Sequence, residues 1–238
     1  MKMELSQIAM KNFPMSGRSA IVPIRQAEGM QNDLWLSKEG AAVEMPWKQA
    51  LVLEGRCFQV QVGALITGIA SGSATVPELA EPECIISVPT GTVIMPYRIN
   101  CTCNADTLAT DNSLESIIIG WDRGKVYDGT GTHTTEVAYN LRGDNPRSTN
   151  CTCTSAHTDD ITSIPVILTE LCRKDVHIDV TSAVALGQIT IDLLYEPQAA
   201  PFIVGPAMLV IMWGGTSPLT GFAQVEWAEF SKSELGIV

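Results

Sequence analysis

The residues with the most distinctive spacing are four cysteines in two copies of Asn-Cys-Thr-Cys, at Asn100 to Cys103 and Asn150 to Cys153. On a strand, residues i and i+2 share a face, so each Cys-x-Cys presents two sulfurs to one side. Were the two segments neighbours, Cys101, Cys103, Cys151 and Cys153 would converge as a zinc site or as paired disulfides. Structural zinc sites, however, take Cys-x2-Cys on a turn that lets two thiolates wrap one ion, and a small apolar Cys is readily buried for packing alone. The packing reading takes precedence. No metal, no cofactor and mostly free thiols are therefore expected from the seven cysteines. Both copies also spell Asn-x-Thr, at Asn100 and Asn150, which matters only in a secretory pathway. The opening residues have no apolar run of signal-peptide length behind them.

Acid–base chemistry needs convergent groups, and histidine is scarce: His133, His157 and His177. His177 and Asp179 have the spacing of a base and its orienter on one strand face. Neither a Gly-x-Ser-x-Gly elbow nor a His-Glu-x-x-His accompanies them, so they read as the polar row of an amphipathic strand. Gly129-Thr-Gly131 lacks the third glycine of a dinucleotide loop and reads as a turn. Arg142-Gly143-Asp144 spells an integrin-type tripeptide, but Gly-Asp-Asn-Pro is ordinary turn chemistry. Trp35, Trp47, Trp121, Trp213 and Trp227 read as core or subunit contact. No enzyme is expected.

The elements that position these residues are strands. Phe58, Val60, Val62, Ala64 and Ile66 alternate with Gln59, Gln61, Gly63, Leu65 and Thr67, the period of a half-buried strand. The same texture recurs at 84–88, 92–103, 116–121, 134–141, 163–168, 176–181, 189–194 and 222–230, while 207–213 is continuous and apolar enough to be a strand buried on both faces, with a helical turn placed at 169–175. The connections at 104–115, 122–132 and 143–150 are too long for tight hairpins and suit Greek-key or jelly-roll crossings. Before residue 56 the apolar residues lie between glycines and prolines with no period. The expected organisation is an extended arm with short strands over 1–55 and an all-β jelly-roll sandwich over 56–238.

A chain of 238 residues with 45% hydrophobic and 17% charged residues folds around one core. Its net charge of -11 repels a phosphate backbone, which excludes nucleic acid as the expected partner. The longest apolar stretch, 202–213, is too short for a membrane helix. A mean hydropathy of +0.15 points to apolar surface covered by other subunits, hence a homo-oligomer, expected as a trimer.

The arm, the run of strands from Arg56, and the closing segments Ile189-Thr-Ile-Asp-Leu-Leu-Tyr-Glu-Pro, Met208-Leu-Val-Ile-Met-Trp-Gly-Gly and Gln224-Val-Glu-Trp-Ala-Glu-Phe together resemble the single jelly-roll proteins of virus particles. The closest likeness is to the trimeric cement or decoration proteins of tailed-phage heads. The likeness covers most of the chain and includes no diagnostic motif. It implies a virion protein assembled in the host cytoplasm that sits on the capsid surface and binds the major capsid protein. Lys2, Lys11, Arg18, Arg25 and Trp35 are the expected docking residues of the arm. The rivals are a major capsid protein of a small icosahedral virus, and a receptor-binding or carbohydrate-binding β-sandwich of a virion fibre.

Overall fold

In the computed structural model the described residues are 17–18, 34–35, 46–64, 66–72, 77–105, 113–158, 161–162, 164, 169–178, 189–216 and 218–237. The chain divides into two units, Met1–Glu54 and Gly55–Val238.

In the first unit, β1 (Gly17–Arg18) pairs in parallel with β2 (Leu34–Trp35), and a helix, α1 (Trp47–Leu53), follows. The helix is a departure from the expected strands-only arm. Lys48, Gln49, Ala50, Leu51 and Leu53 are good helix formers, and the first turn closes where Ala50 N–H donates to the Pro46 carbonyl (3.1 Å). Two turns are too few to show an apolar stripe.

The second unit holds β3 (Cys57–Val62), β4 (Ile69–Ala70), β5 (Cys84–Val88), β6 (Thr92–Ala105), β7 (Ser113–Arg123), β8 (Thr134–Glu136), β9 (Tyr139–Asn140) and β10 (Thr152–Ser155). It continues with β11 (Thr169–Ile178), β12 (Ile189–Tyr195), β13 (Ile203–Val204), β14 (Ala207–Gly215) and β15 (Leu219–Ser231). One sheet has the order β11-β7-β14-β5-β10-β8; the other runs β12-β6-β15-β3-β9, with β13 on β6 and β4 on β15. All pairings within these sheets are antiparallel. The two sheets pack as a β-sandwich.

Alternation builds the interior. Phe58, Val60 and Val62 of β3, Ile99, Cys101 and Cys103 of β6, and Val225 and Trp227 of β15 point inward from one sheet. Ile86 and Val88 of β5, Ile117 and Ile119 of β7, and Leu209, Ile211 and Trp213 of β14 meet them from the other. Burying side chains of this size contributes roughly 1.5–3 kcal/mol each. The outer faces differ. Arg98, Asn100, Thr102 and Asn104 of β6 and Asp192 and Leu194 of β12 lie on the outer side of their sheet, exposed or half-buried. The other sheet's outer side buries a second cluster, Ile85, Ile118, Met208, Val210 and Met212, under Ile161, Leu79 and Tyr127 from loops. That cover explains why every residue of β14 is buried.

Two irregularities have sequence causes. Glu226 pairs with Arg98 and Trp227 with Pro96, so Tyr97 is the extra residue of a bulge, placed beside a proline that has no N–H for a regular ladder. In β11 the register slips between Glu170 and Cys172. The extra Leu171 breaks the alternation, so the helical turn expected at 169–175 is instead part of a bulged edge strand. The strand expected at 163–168 lies outside the described residues apart from Ile164, which is not in a strand.

Candidate functional site

Three loops meet on the covered face of the β11-to-β8 sheet. Loop 124–133 is anchored where Tyr127 N–H donates to Ser87 Oγ of β5 (3.1 Å) and Lys125 Nζ to the Ile164 carbonyl (2.6 Å). Asp128 folds the loop tip. Its Oδ1 accepts from Thr130 N–H (3.0 Å) and Thr130 Oγ1 (2.7 Å), and its Oδ2 from Thr162 Oγ1 (2.5 Å). Gly129 and Gly131 both have φ of 80°, which glycine adopts freely, so Gly129-Thr-Gly131 is a turn as expected.

The anchored loop places one phenol against two imidazoles. The Tyr127 ring meets His133 and His157 edge-on, with centroids at 5.2 and 4.9 Å, and the two imidazoles stack at 5.6 Å and 22°. Tyr127 O–H donates to the Thr130 carbonyl. With its only proton so placed, the phenol oxygen accepts from His133 Nδ1 at 2.9 Å, which assigns a proton to that nitrogen. Burial, then the charge of Asp128, pushes the Tyr127 hydroxyl up.

His157 is 3% exposed. Its Nε2 lies 3.2 Å from Thr154 Oγ1, whereas its Nδ1 is buried without a hydrogen-bond partner. Burial, aided by His133, brings this imidazole down to about 4, so it is neutral at neutral pH. His157 also lines a cleft of about 330 Å³ between residues 68–72 on one side and Glu81, Ala156 and Thr158 on the other. Ala156 has φ of 52°, a left-handed conformation that costs an alanine on the order of 1–3 kcal/mol. Its N–H donates to the Glu83 carbonyl (3.2 Å), which helps hold it there.

Glu83 ties the cleft wall to the core. It is 2% exposed, its Oε1 accepts from Gly72 N–H (3.0 Å), and its Oε2 accepts from Trp213 N–H of β14 (2.8 Å). Burial outweighs those two hydrogen bonds and raises the carboxyl to about 8, so it is mostly protonated at neutral pH. Gly72 must be glycine, because a Cβ there would stand 2.4 Å from Cβ of Glu81.

No family model, no curated protein and no solved structure matches the chain.

The residues nominated by sequence fall elsewhere. Lys2, Lys11 and Arg25 lie outside the described residues; Arg18 and Trp35 are described only as backbone in β1 and β2. Cys101 and Cys103 belong to β6 and Cys153 to β10, in different sheets, so the two Asn-Cys-Thr-Cys segments are not neighbouring strands. All four of their cysteines are buried in the common interior, Cys101 and Cys103 fully, where burial pushes the thiols up. Among the described residues no group of three or more His, Cys, Asp or Glu side chains is placed to hold a metal ion.

His177 is exposed on edge strand β11, paired with Leu114, and Asp179 lies outside the described residues. Arg142 and Asp144 occupy an exposed turn and bind each other at 2.9 Å. Asn150 Nδ2 donates to Glu229 Oε1 (2.8 Å), and Asn100 stands on the open face of β6. Trp121, Trp213 and Trp227 are core; Trp47 is about half exposed. Tyr127, Glu83 and the cleft were not legible beforehand, because their residues come from separate loops and share no short motif.

Proposed function

We propose that this chain is a structural protein of a virus particle, a jelly-roll subunit that decorates the capsid, binds the major capsid protein and acts as a homotrimer. The observation that supports the reading is the pairing of the eight principal strands. Taken in chain order β3, β5, β6, β7, β11, β12, β14 and β15, the first pairs with the last, the second with the seventh, the third with the sixth and the fourth with the fifth. Such nested pairing fits one long antiparallel ribbon rolled into two sheets and so supports the jelly-roll reading, an architecture found in viral capsid domains. The support is architectural, and β8, β9 and β10 are an insertion between the fourth and fifth strands that extends one edge of each sheet. Exposed Val137, Tyr139, Leu194 and Phe202 offer apolar surface for contacts between subunits.

An antibody raised against the chain and applied to density-banded particles from cultures of the source organism tests the reading. Label on intact particles, removed when the shell is dissociated, is the expected result. Chain found only in the soluble fraction overturns it.

A further inference from the structure

The outer side of the β11-to-β8 sheet is apolar, and loops hide it. Ile85 of β5, Ile118 of β7 and Met208, Val210 and Met212 of β14 pack with Tyr127 and Ile161 from two loop segments, 124–133 and 156–162. Those segments are tied to each other. Thr158 N–H donates to the Thr132 carbonyl (3.2 Å), Thr162 N–H to Thr130 Oγ1 (3.1 Å) and Thr162 Oγ1 to Asp128 Oδ2 (2.5 Å), so they form one cover. His157 sits where that cover leaves β10, with its ring against both Tyr127 and His133. We propose that the cover is an acid-operated latch: protonation of His157 frees the two segments from the sheet and uncovers Met208, Val210 and Met212 while the sandwich beneath stays folded.

Hydrogen-bond arithmetic is the first support. An imidazolium carries N–H on both ring nitrogens and needs two acceptors. The closed cover offers Thr154 Oγ1, 3.2 Å from Nε2, whereas the buried Nδ1 has no partner among the described residues. Protonation in place therefore buries a charge and an unmet donor together. The surrounding charges do not compensate. Loop 124–133 brings Lys125, Asp128 and His133; the segment before β5 brings Glu81 and Glu83; β8 brings Glu136, which accepts from Ser155 Oγ (2.5 Å). Asp159 and Asp160 lie outside the described residues. The charge that acts on His157 is that of His133, stacked at 5.6 Å, and with burial it holds the imidazole down to about 4.

Linkage gives the sign. An opened cover returns His157 to water and its ordinary 6.5, so the hold of the latch is complete above 6.5 and is lost as the pH falls through 4. From pH 7 to pH 4 the open fraction should grow about a hundredfold. Glu83 does not oppose this opening, because its carboxyl accepts from Gly72 and Trp213 N–H groups outside the cover. Unfolding of the whole sandwich would release Glu83 as well, and its opposite titration would cancel the effect of His157 between 4.5 and 6.5.

Oxidation of the full chain by hydrogen peroxide, read by peptide mass spectrometry, tests the latch, because Met208 and Met212 are 0% and 1% exposed when it is closed. Their oxidation rates, relative to a free methionine in the same solution, should rise about a hundredfold from pH 7 to pH 4 while β6 and β15 keep their amide-exchange protection. His157→Gln cannot take up the proton and should abolish the rise. If that variant does not fold, His133→Gln replaces it: His133 is only half-buried, and removing the like charge should shrink the rise. The proposal fails if oxidation is flat over this range, if β6 and β15 lose protection together with the two methionines, or if either variant keeps the full acid rise.

Discussion

Two buried titratable residues make opposite demands on pH. Glu83 keeps its proton in the fold up to about 8 but in the unfolded chain only to its ordinary 4.5. Its contribution to stability is complete below 4.5 and is lost as the pH rises through 8. His157 binds a proton near 6.5 when unfolded but only at about 4 in the fold. Its contribution is complete above 6.5 and is lost as the pH falls through 4. Between 4.5 and 6.5 the two slopes oppose each other and cancel, so these residues place a stability plateau there, with an alkaline flank approaching about 1 kcal/mol per pH unit and a much shallower acid flank. Urea midpoints measured across pH should fall above 6.5 in the natural chain. In Glu83→Gln that alkaline fall should disappear, even though an amide that must also face Gly72 and Trp213 N–H groups lowers stability throughout. An unchanged alkaline slope in the variant would show that Glu83 is not the group responsible. Neither residue stands out in the sequence. Glu83 sits in Pro82-Glu83-Cys84 and looks like a solvent-facing loop acid; only the approach of Gly72 and Trp213 from distant positions makes it a buried one.

At the scale of elements, legibility follows exposure. The strand read from Phe58 to Thr67 holds as far as Val62, where one face is core and the other carries Gln59 and Gln61, and stops at Gly63, whose φ is 98°, leaving Ile66 exposed; β12 could be read because Asp192 and Leu194 alternate with buried Ile191 and Leu193. β11 was misread because Leu171 interrupts its period; β14 was legible as a continuous apolar run because both its faces are buried, and β5 is likewise buried on both faces rather than on one. The loop that precedes β10 was legible only as a loop; what orders it is one acid. Glu229 of β15, 1% exposed, accepts from Thr149 Oγ1 (2.5 Å), Asn150 Nδ2 (2.8 Å) and Asn150 N–H (3.1 Å). Arg147 reinforces the clamp, donating to the Glu229 carbonyl and to the Gly55 carbonyl, both at 3.0 Å. Glu229→Ala leaves the donors of Thr149 and Asn150 unmet and should cost about 2–4 kcal/mol. The amide protons of residues 149–151 should then exchange much faster than those of β6 and β15. Equal protection of loop and strands in the variant would mean that the clamp is incidental.

For the whole molecule, the chain divides at Glu54 and Gly55 into two units. Both sheets, the interior between them and the smaller cluster under the loops all lie within residues 55–238. The first turn of that unit is made from its own parts: Arg147 and Asn140 both donate to the Gly55 carbonyl, and Gly55 takes φ of 70° against Pro146. Among the described residues, both sheets and both apolar clusters are therefore built from the second unit. A chain beginning at Gly55 should unfold in one transition with a melting temperature within a few degrees of the full chain's. Assembly is a separate question, because the apolar groups exposed at the rim, Val137 and Tyr139 beside the β8 and β9 edges and Leu194 on β12, also belong to the second unit. If these make the contacts between copies, the truncated chain keeps the oligomeric state of the full one, expected from light scattering as three times the 25.6 kDa of a single chain. The charges Lys2, Lys11, Arg18 and Arg25 would then be left to bind something other than a second copy, and their contribution should weaken with added salt, as exposed charge pairs do. A truncated chain that melts far below the full one makes the first unit part of the core. One that stays folded but becomes monomeric assigns the trimer contacts to residues 1–54 and removes the reason for treating that segment as a docking arm.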